Sequence, residues 1–217
     1  MDLPEGASPR LHEIARWVGT WLFRPAFRVR VRGLGRVPRT GPVVLVANHS
    51  TLLEPPLLFG LLPRRSVFLV KRELFVGPLG WVLPRIGQLA IHRGQPDRAP
   101  LLAAVGVLRE GGLIGIFPEG TRGDGTVGSA ERGAAWLVRA SGAVVLPMAI
   151  RGTLREPGRR RRFRPVVDVL AGEPFPLEVG RGTAGLRDGT EVIRATLADL
   201  VAELDASTTC SVRRVSG

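Results

Sequence analysis

The sequence predicts a single α/β domain: a mostly parallel central sheet flanked by helices, with an amphipathic helix at the N-terminus. Three observations carry that reading. Short apolar runs rich in β-branched residues recur along the chain, bounded by Gly, Pro or Asn. Stretches with apolar residues at helical spacing lie between them, and alternation of the two kinds of element is the pattern of parallel strands joined by crossover helices. At 217 residues and 44% hydrophobic content the chain can bury one sizeable core, and neither an internal repeat nor an interdomain linker divides it.

In residues 11–27 the apolar positions Leu11, Ile14, Ala15, Val18, Trp21, Leu22 and Phe27 recur mostly at three- and four-residue steps, with Arg16 and Arg24 among them. This is an amphipathic helix that Pro25 limits or kinks. It either packs on the domain or rests a basic, tryptophan-bearing face at a lipid interface. Val29 and Val31 suggest a short strand. Pro42-Val43-Val44-Leu45-Val46-Ala47 reads as a strand buried on both faces of a parallel sheet. Further strands are predicted over residues 67–70, 88–92, 113–117, 144–150 and 166–170, and helices over 100–109, 131–140 and 191–204. The Pro/Gly/Arg-rich residues 155–165 read as a surface loop or hairpin within the domain.

Net charge is +12 with pI about 11.6, and Lys71 is the sole lysine among 31 basic residues. Such a surface attracts anions: phospholipid headgroups, phosphorylated substrates or nucleic acid. Nucleic acid is disfavoured, because aromatic content is only 6% and no recognition helix or stacking motif accompanies the charge. The single cysteine, Cys210, permits no intrachain disulfide, so a reducing compartment is allowed. No uninterrupted apolar run reaches the roughly eighteen residues needed to span a bilayer. Asp2 and Glu5, with no small-residue cleavage pattern, argue against a signal peptide. A cytoplasmic or membrane-surface protein is expected.

Two segments could carry chemistry. In Asn48-His49-Ser50-Thr51-Leu52-Leu53-Glu54 the imidazole follows the carboxyl end of a predicted strand, where open α/β sheets place their ligands. On an unbroken helix, positions five apart would not share a face. Pro55 and Pro56 imply that a helix starts near Pro56, leaving a compact loop in which Glu54 can reach one imidazole nitrogen, fix its tautomer and leave the other as a base. The alternative is a capping box, since Thr51-Leu52-Leu53-Glu54 also fits Ser/Thr-x-x-Glu. In Phe117-Pro118-Glu119-Gly120-Thr121-Arg122, Gly120 allows a tight turn, Thr121 offers a hydroxyl and Arg122 a planar fork for phosphate; the alternative is a glycine-centred turn with a solvated Arg–Glu pair. There is no glycine-flanked nucleophilic serine and no Walker-type loop, and three histidines with one cysteine give no metal-ligand spacing. No metal and no cofactor are implied.

These segments, in this order, resemble the lysophosphatidic acid acyltransferase family of glycerolipid acyltransferases. The Glu119-Gly120-Thr121-Arg122 motif matches without substitution. Gly87-Gln88-Leu89-Ala90-Ile91-His92-Arg93 resembles the family segment that ends a strand with arginine, Lys71-Arg72-Glu73-Leu74-Phe75 also fits, and Val145-Leu146-Pro147-Met148 matches the last block, where a proline breaks a strand beside the site. The similarity covers residues 32–174 and departs from the family at two places: Glu54 stands where the family has aspartate, and Glu131-Arg132 where it commonly has lysine.

The resemblance implies an amphipathic lead-in over residues 1–31, an acyltransferase domain over 32–205 and a flexible tail over 206–217. It implies transfer of a fatty acyl group from acyl-CoA or acyl carrier protein, as co-substrate, to a lysophospholipid hydroxyl. The simplest acceptor is 1-acylglycerol 3-phosphate. His49 would be the base, Glu54 its orienting partner, Arg93 and Arg122 the phosphate ligands, and Glu119, Gly120 and Thr121 the turn presenting them. Competing readings are another lyso-lipid acceptor or an inactive lipid-surface binding protein. With Arg159, Arg160, Arg161, Arg162 and Arg164 beside Phe163, an anionic membrane at the inner face of the cell is the expected partner surface.

Overall fold

The computed structural model describes residues 3–92, 98–118, 127, 131–154 and 163–215, with side chains as far as residue 208. Helix α1 spans Pro9–Ala26; the Ser8 hydroxyl accepts from Leu11 N and Pro9 opens the first turn. Strand β1 (Arg28–Arg32) and β2 (Val43–Ala47) follow, then α2 (Glu54–Leu61), β3 (Val67–Lys71), α3 (Gly77–Arg85) and β4 (Leu89–Ile91). The rest is α4 (Arg98–Arg109), β5 (Leu113–Ile116), α5 (Gly133–Ser141), β6 (Val144–Arg151), β7 (Val166–Ala171) and α6 (Gly182–Val215).

The strands form one sheet in the order β1-β7-β6-β2-β5-β3-β4. Every neighbouring pair is parallel except β6 with β7, where Met148 to Arg151 run against Ala171 to Asp168. The α/β class and mostly parallel sheet predicted above are therefore observed, with one reversal. Strand β2 is central and buried at all five positions because alternate side chains serve opposite cores. Val43, Leu45 and Ala47 meet Phe23 of α1 and Leu57, Leu58 and Phe59 of α2. Val44 and Val46 meet Ala104 and Leu108 of α4 and Ala135 and Val138 of α5. Helix α6 covers β6 and β7 through Leu197, Leu200, Val201 and Leu204.

Helix α1 crosses α2 where two glycines touch: a Cβ on Gly60 would lie 2.5 Å from the Gly19 carbonyl carbon, and Thr20 Oγ1 donates to Gly60 O at 2.7 Å. One face of α1 is thus packed on the domain, as the first reading of this helix expects. Its other face leaves Ile14, Trp17, Val18, Trp21 and Leu22 exposed. Among the described residues no helix is long and apolar enough to cross a membrane.

Four details differ from expectation. Helix α2 begins at Glu54, not near Pro56: both prolines sit in the first turn, where their missing N–H groups have no helical acceptor to lose. Pro147 does not break its strand. It pairs with Val46 inside β6, and on the other side its carbonyl accepts from Gly172 N at 2.9 Å, where the β7 ladder ends. Helix α3 was not expected. Helix α6 starts at Gly182 and continues to Val215, so the segment from 206 is helical rather than a tail; Ser207 there accepts from Arg32 of β1 at 2.6 Å.

Candidate active site

The site is built where β2 ends. Asn48, fully buried, extends the β2–β6 pairing with its side chain: Nδ2 donates to Ile150 O at 2.9 Å and Oδ1 accepts from Ile150 N at 2.8 Å. That double bond to β6 fixes the start of the loop and sets His49 beside it. The His49 ring packs on Phe117, with centroids 4.5 Å apart, and Phe117 stacks in turn near Phe68 of β3. His49 is only 5% exposed.

Glu54, at 0% exposure, faces His49 from the first turn of α2. Its Oε2 accepts from His49 Nδ1 at 2.9 Å, from Ser50 N at 2.8 Å and from Thr51 N at 3.1 Å. Its Oε1 accepts from the Thr153 hydroxyl at 2.6 Å. Four donors on two oxygens match the acceptor-only chemistry of a carboxylate. A carboxylate acceptor places the proton of a neutral imidazole on Nδ1, so Nε2 is the nitrogen able to take another. The paired reading of this segment is realised, whereas only half of the capping box forms, because the helix N-cap is Leu53 and not Thr51. Glu54 reaches back to Thr51 N as in a capping box, while the Thr51 hydroxyl accepts from Leu53 N at 3.3 Å rather than from Glu54. The same Oε2 orients His49.

Of the predicted residues, the structure thus brings His49 and Glu54 together. Arg93, Glu119, Gly120, Thr121 and Arg122 lie outside the described residues, as do Arg159, Arg160, Arg161 and Arg162. What is described of the second motif is its entry: Phe117 leaves β5, the neighbour of β2, directly onto His49, and Pro118 O accepts from Glu131 N at 2.5 Å, joining the ends of the segment that holds the motif. His92 follows β4 and borders an open cavity of about 450 Å³ with Arg72 and Pro100, three strands from β2. Among the described residues no cluster of His, Cys, Asp or Glu could hold a metal ion. Asn48, Phe117 as a wall and Thr153 were given no role by sequence reasoning. Asn48 adjoins the histidine and could have been suspected, but nothing local points to Thr153.

Fold and pair together define an α/β protein with a buried His–Glu pair at the carboxyl end of its central strand. The family model described as Acyltransferase matches residues 28–151, and the chain belongs to that family. It is 31% identical over 191 residues to the 1-acyl-sn-glycerol-3-phosphate acyltransferase of Pseudomonas aeruginosa, covering 85% of this chain and 74% of that one. It is 31% identical over 147 residues to a chloroplastic 1-acyl-sn-glycerol-3-phosphate acyltransferase of Arabidopsis thaliana, covering 65% of this chain but 41% of the relative. Against the human 1-acyl-sn-glycerol-3-phosphate acyltransferase beta the identity is 32%, over 62% of this chain and 50% of the relative. The crystal structure of the 1-acyl-sn-glycerophosphate acyltransferase PlsC from Thermotoga maritima superposes with a TM-score of 0.69 at 28% identity, covering 91% of this chain and 79% of that one.

Proposed function

We propose that the protein transfers a fatty acyl group from an acyl thioester, carried by CoA or acyl carrier protein, to the free hydroxyl of 1-acylglycerol 3-phosphate, giving phosphatidic acid. The observation that carries this reading is the buried His49–Glu54 pair, 2.9 Å apart, at the end of the central strand of an acyltransferase-family domain. The relatives bearing the activity in their names support the acceptor. His49 Nε2 takes the hydroxyl proton as the oxygen attacks the thioester carbonyl; the new C–O bond forms, the C–S bond breaks, and the imidazolium returns the proton to the departing thiolate. Glu54 holds Nδ1–H and stabilises the imidazolium. Arg93 and Arg122 hold the acceptor phosphate, and Glu119, Gly120 and Thr121 shape the turn that presents Arg122.

The same reading places the protein at the inner face of the cell membrane, where its acceptor resides. In support, α1 exposes Trp17 and Trp21, α3 exposes Leu79 and Trp81 with Val76 just before it, and an arginine lies over a tryptophan on each helix: Arg24 at 4.2 Å from Trp21 and Arg85 at 4.3 Å from Trp81. The two helices are joined, since Ser8 N donates to Arg85 O and His12 Nδ1 to Ile86 O. The test is a labelled acyl thioester offered with a panel of lyso-lipids. Diacyl product should form preferentially from 1-acylglycerol 3-phosphate and disappear in His49→Ala. Product from no acceptor, or undiminished product with His49→Ala, overturns the reading.

A further inference from the structure

Glu54 receives more than orientation of one imidazole requires. Three N–H groups converge on Oε2 and fix where that oxygen lies, but they leave the carboxyl group free to swing about it. The swing decides which lone pair faces His49 Nδ1, and so the tilt of the ring. The one protein group on the other oxygen among the described hydrogen bonds is the Thr153 hydroxyl, at 2.6 Å and 99 residues away in the chain.

The placement of that hydroxyl is built rather than incidental. Ile150, three residues earlier, is held by both side-chain atoms of Asn48. Arg151 is tied to α6 through Asp205 by two bonds of 2.7 and 2.9 Å. Gly152 then turns the chain at φ +88°, where a Cβ would lie 2.1 Å from Val166 O, so only glycine makes this turn without displacing the β7 backbone. Its result is to carry the next side chain over the end of β2.

We infer that Thr153 is a positioning residue of the proton-transfer pair: it fixes the plane of the Glu54 carboxylate and makes a glutamate workable at this site. The longer arm of glutamate carries Oε1 out toward β6, and Thr153 is the donor that meets it there. A side chain one methylene shorter, keeping its bond to His49, withdraws that oxygen from Thr153. The inference rests on the reading of His49 as the base.

The experiment measures turnover of a labelled acyl thioester with detergent-dispersed 1-acylglycerol 3-phosphate by the full chain and by the variants Thr153→Val, Thr153→Ser, Glu54→Asp, Glu54→Asp/Thr153→Val and His49→Ala. Thr153→Val should lower kcat about tenfold with KM nearly unchanged, as for loss of one hydrogen bond to a charged group, and Thr153→Ser should restore it. In the Glu54→Asp background the Thr153→Val change should cost less than about twofold, the non-additivity expected of two side chains acting through one contact. Proton NMR gives a readout independent of turnover. A downfield Nδ1–H resonance that His49→Ala removes should shift or broaden in Thr153→Val and persist in Thr153→Ser. An unchanged kcat and resonance in Thr153→Val, or equal losses in both backgrounds, would overturn the inference. If His49→Ala retains full activity, the base reading itself falls; if it is inactive while Thr153→Val is normal, this inference alone falls.

Discussion

Replacement of Glu54 by glutamine separates the charge of the buried carboxylate from its hydrogen bonds. The amide oxygen can take the place of Oε2 and accept from Ser50 N, Thr51 N and His49 Nδ1, now at 2.8, 3.1 and 2.9 Å. The amide NH₂ then faces the Thr153 hydroxyl, which can accept as readily as it donates. The fold should survive with little change in Tm. What is lost is the attraction between carboxylate and imidazolium as the proton moves. At a charge separation of about 4 Å and an effective dielectric near 20 that attraction is about 4 kcal/mol. Removed from the transition state alone, it corresponds to a fall in kcat on the order of a thousandfold. Glu54→Ala is a poorer probe: it strands up to four donors, at about 1–3 kcal/mol each, against a total stability of only about 5–15 kcal/mol. The assay is thioester turnover alongside thermal unfolding. A glutamine variant that keeps both its Tm and its turnover would show that Glu54 serves the backbone of residues 50 and 51 and not His49.

Arg93→Ala and Arg122→Ala should each weaken use of phosphate-bearing acceptors more than of a neutral monoacylglycerol, read as kcat/KM on the two substrates; equal losses would assign these arginines to structure or to the acyl donor. Replacing Trp17 and Trp21 with serine should reduce sedimentation with anionic vesicles while leaving activity on detergent-dispersed substrate intact, and replacing Arg159, Arg160, Arg161 and Arg162 with glutamine should remove the salt-sensitive part of the binding. Stability should fall with acid through His12. Burial against Phe59 holds its pKa below the usual 6.5, its Nδ1–H is bound to Ile86 O, and its Nε2 has no partner among the described residues to receive a second N–H. The unfolded chain therefore takes up the proton first, so the contribution is complete above about pH 7 and is lost as pH drops below 6.5; the stability of His12→Asn should vary less with pH across that range.

All seven strands were legible because local pattern defines each: β1 alternates arginine with valine, and the other six are short apolar runs. What local pattern does not contain was missed. Helix α3 carries Gly77, Pro78, Gly80 and Pro84, a composition that reads as loop; Pro78 falls in its first turn and Pro84 in its last, so the ring interrupts few bonds, and Gly80 lets the helix close against the Phe75 carbonyl. The pair itself was legible because the two prolines after Glu54 signal a helix start close behind it, even though they mark that start two residues late. Thr153 was illegible because its contact is made across β2 and β6, and a lone threonine after a strand is indistinguishable from a turn residue.

The second anchor of Glu54 comes from the chain that leaves β6. Strands β5, β2 and β6 are adjacent and parallel, so the chain leaves all three at the same edge of the sheet: Phe117 from β5, Asn48 and His49 from β2, Gly152 and Thr153 from β6. From β2 the chain goes on into the α2 crossover toward its next strand. After β6 it needs only to turn back, because β7 pairs beside it in the opposite sense. Gly152 and Thr153 lie close enough to the end of β2 for a hydroxyl to meet a buried carboxylate at 2.6 Å. The turn at Gly152, packed against Val166 O of β7, thus sets the Thr153 hydroxyl over the carboxylate at position 54.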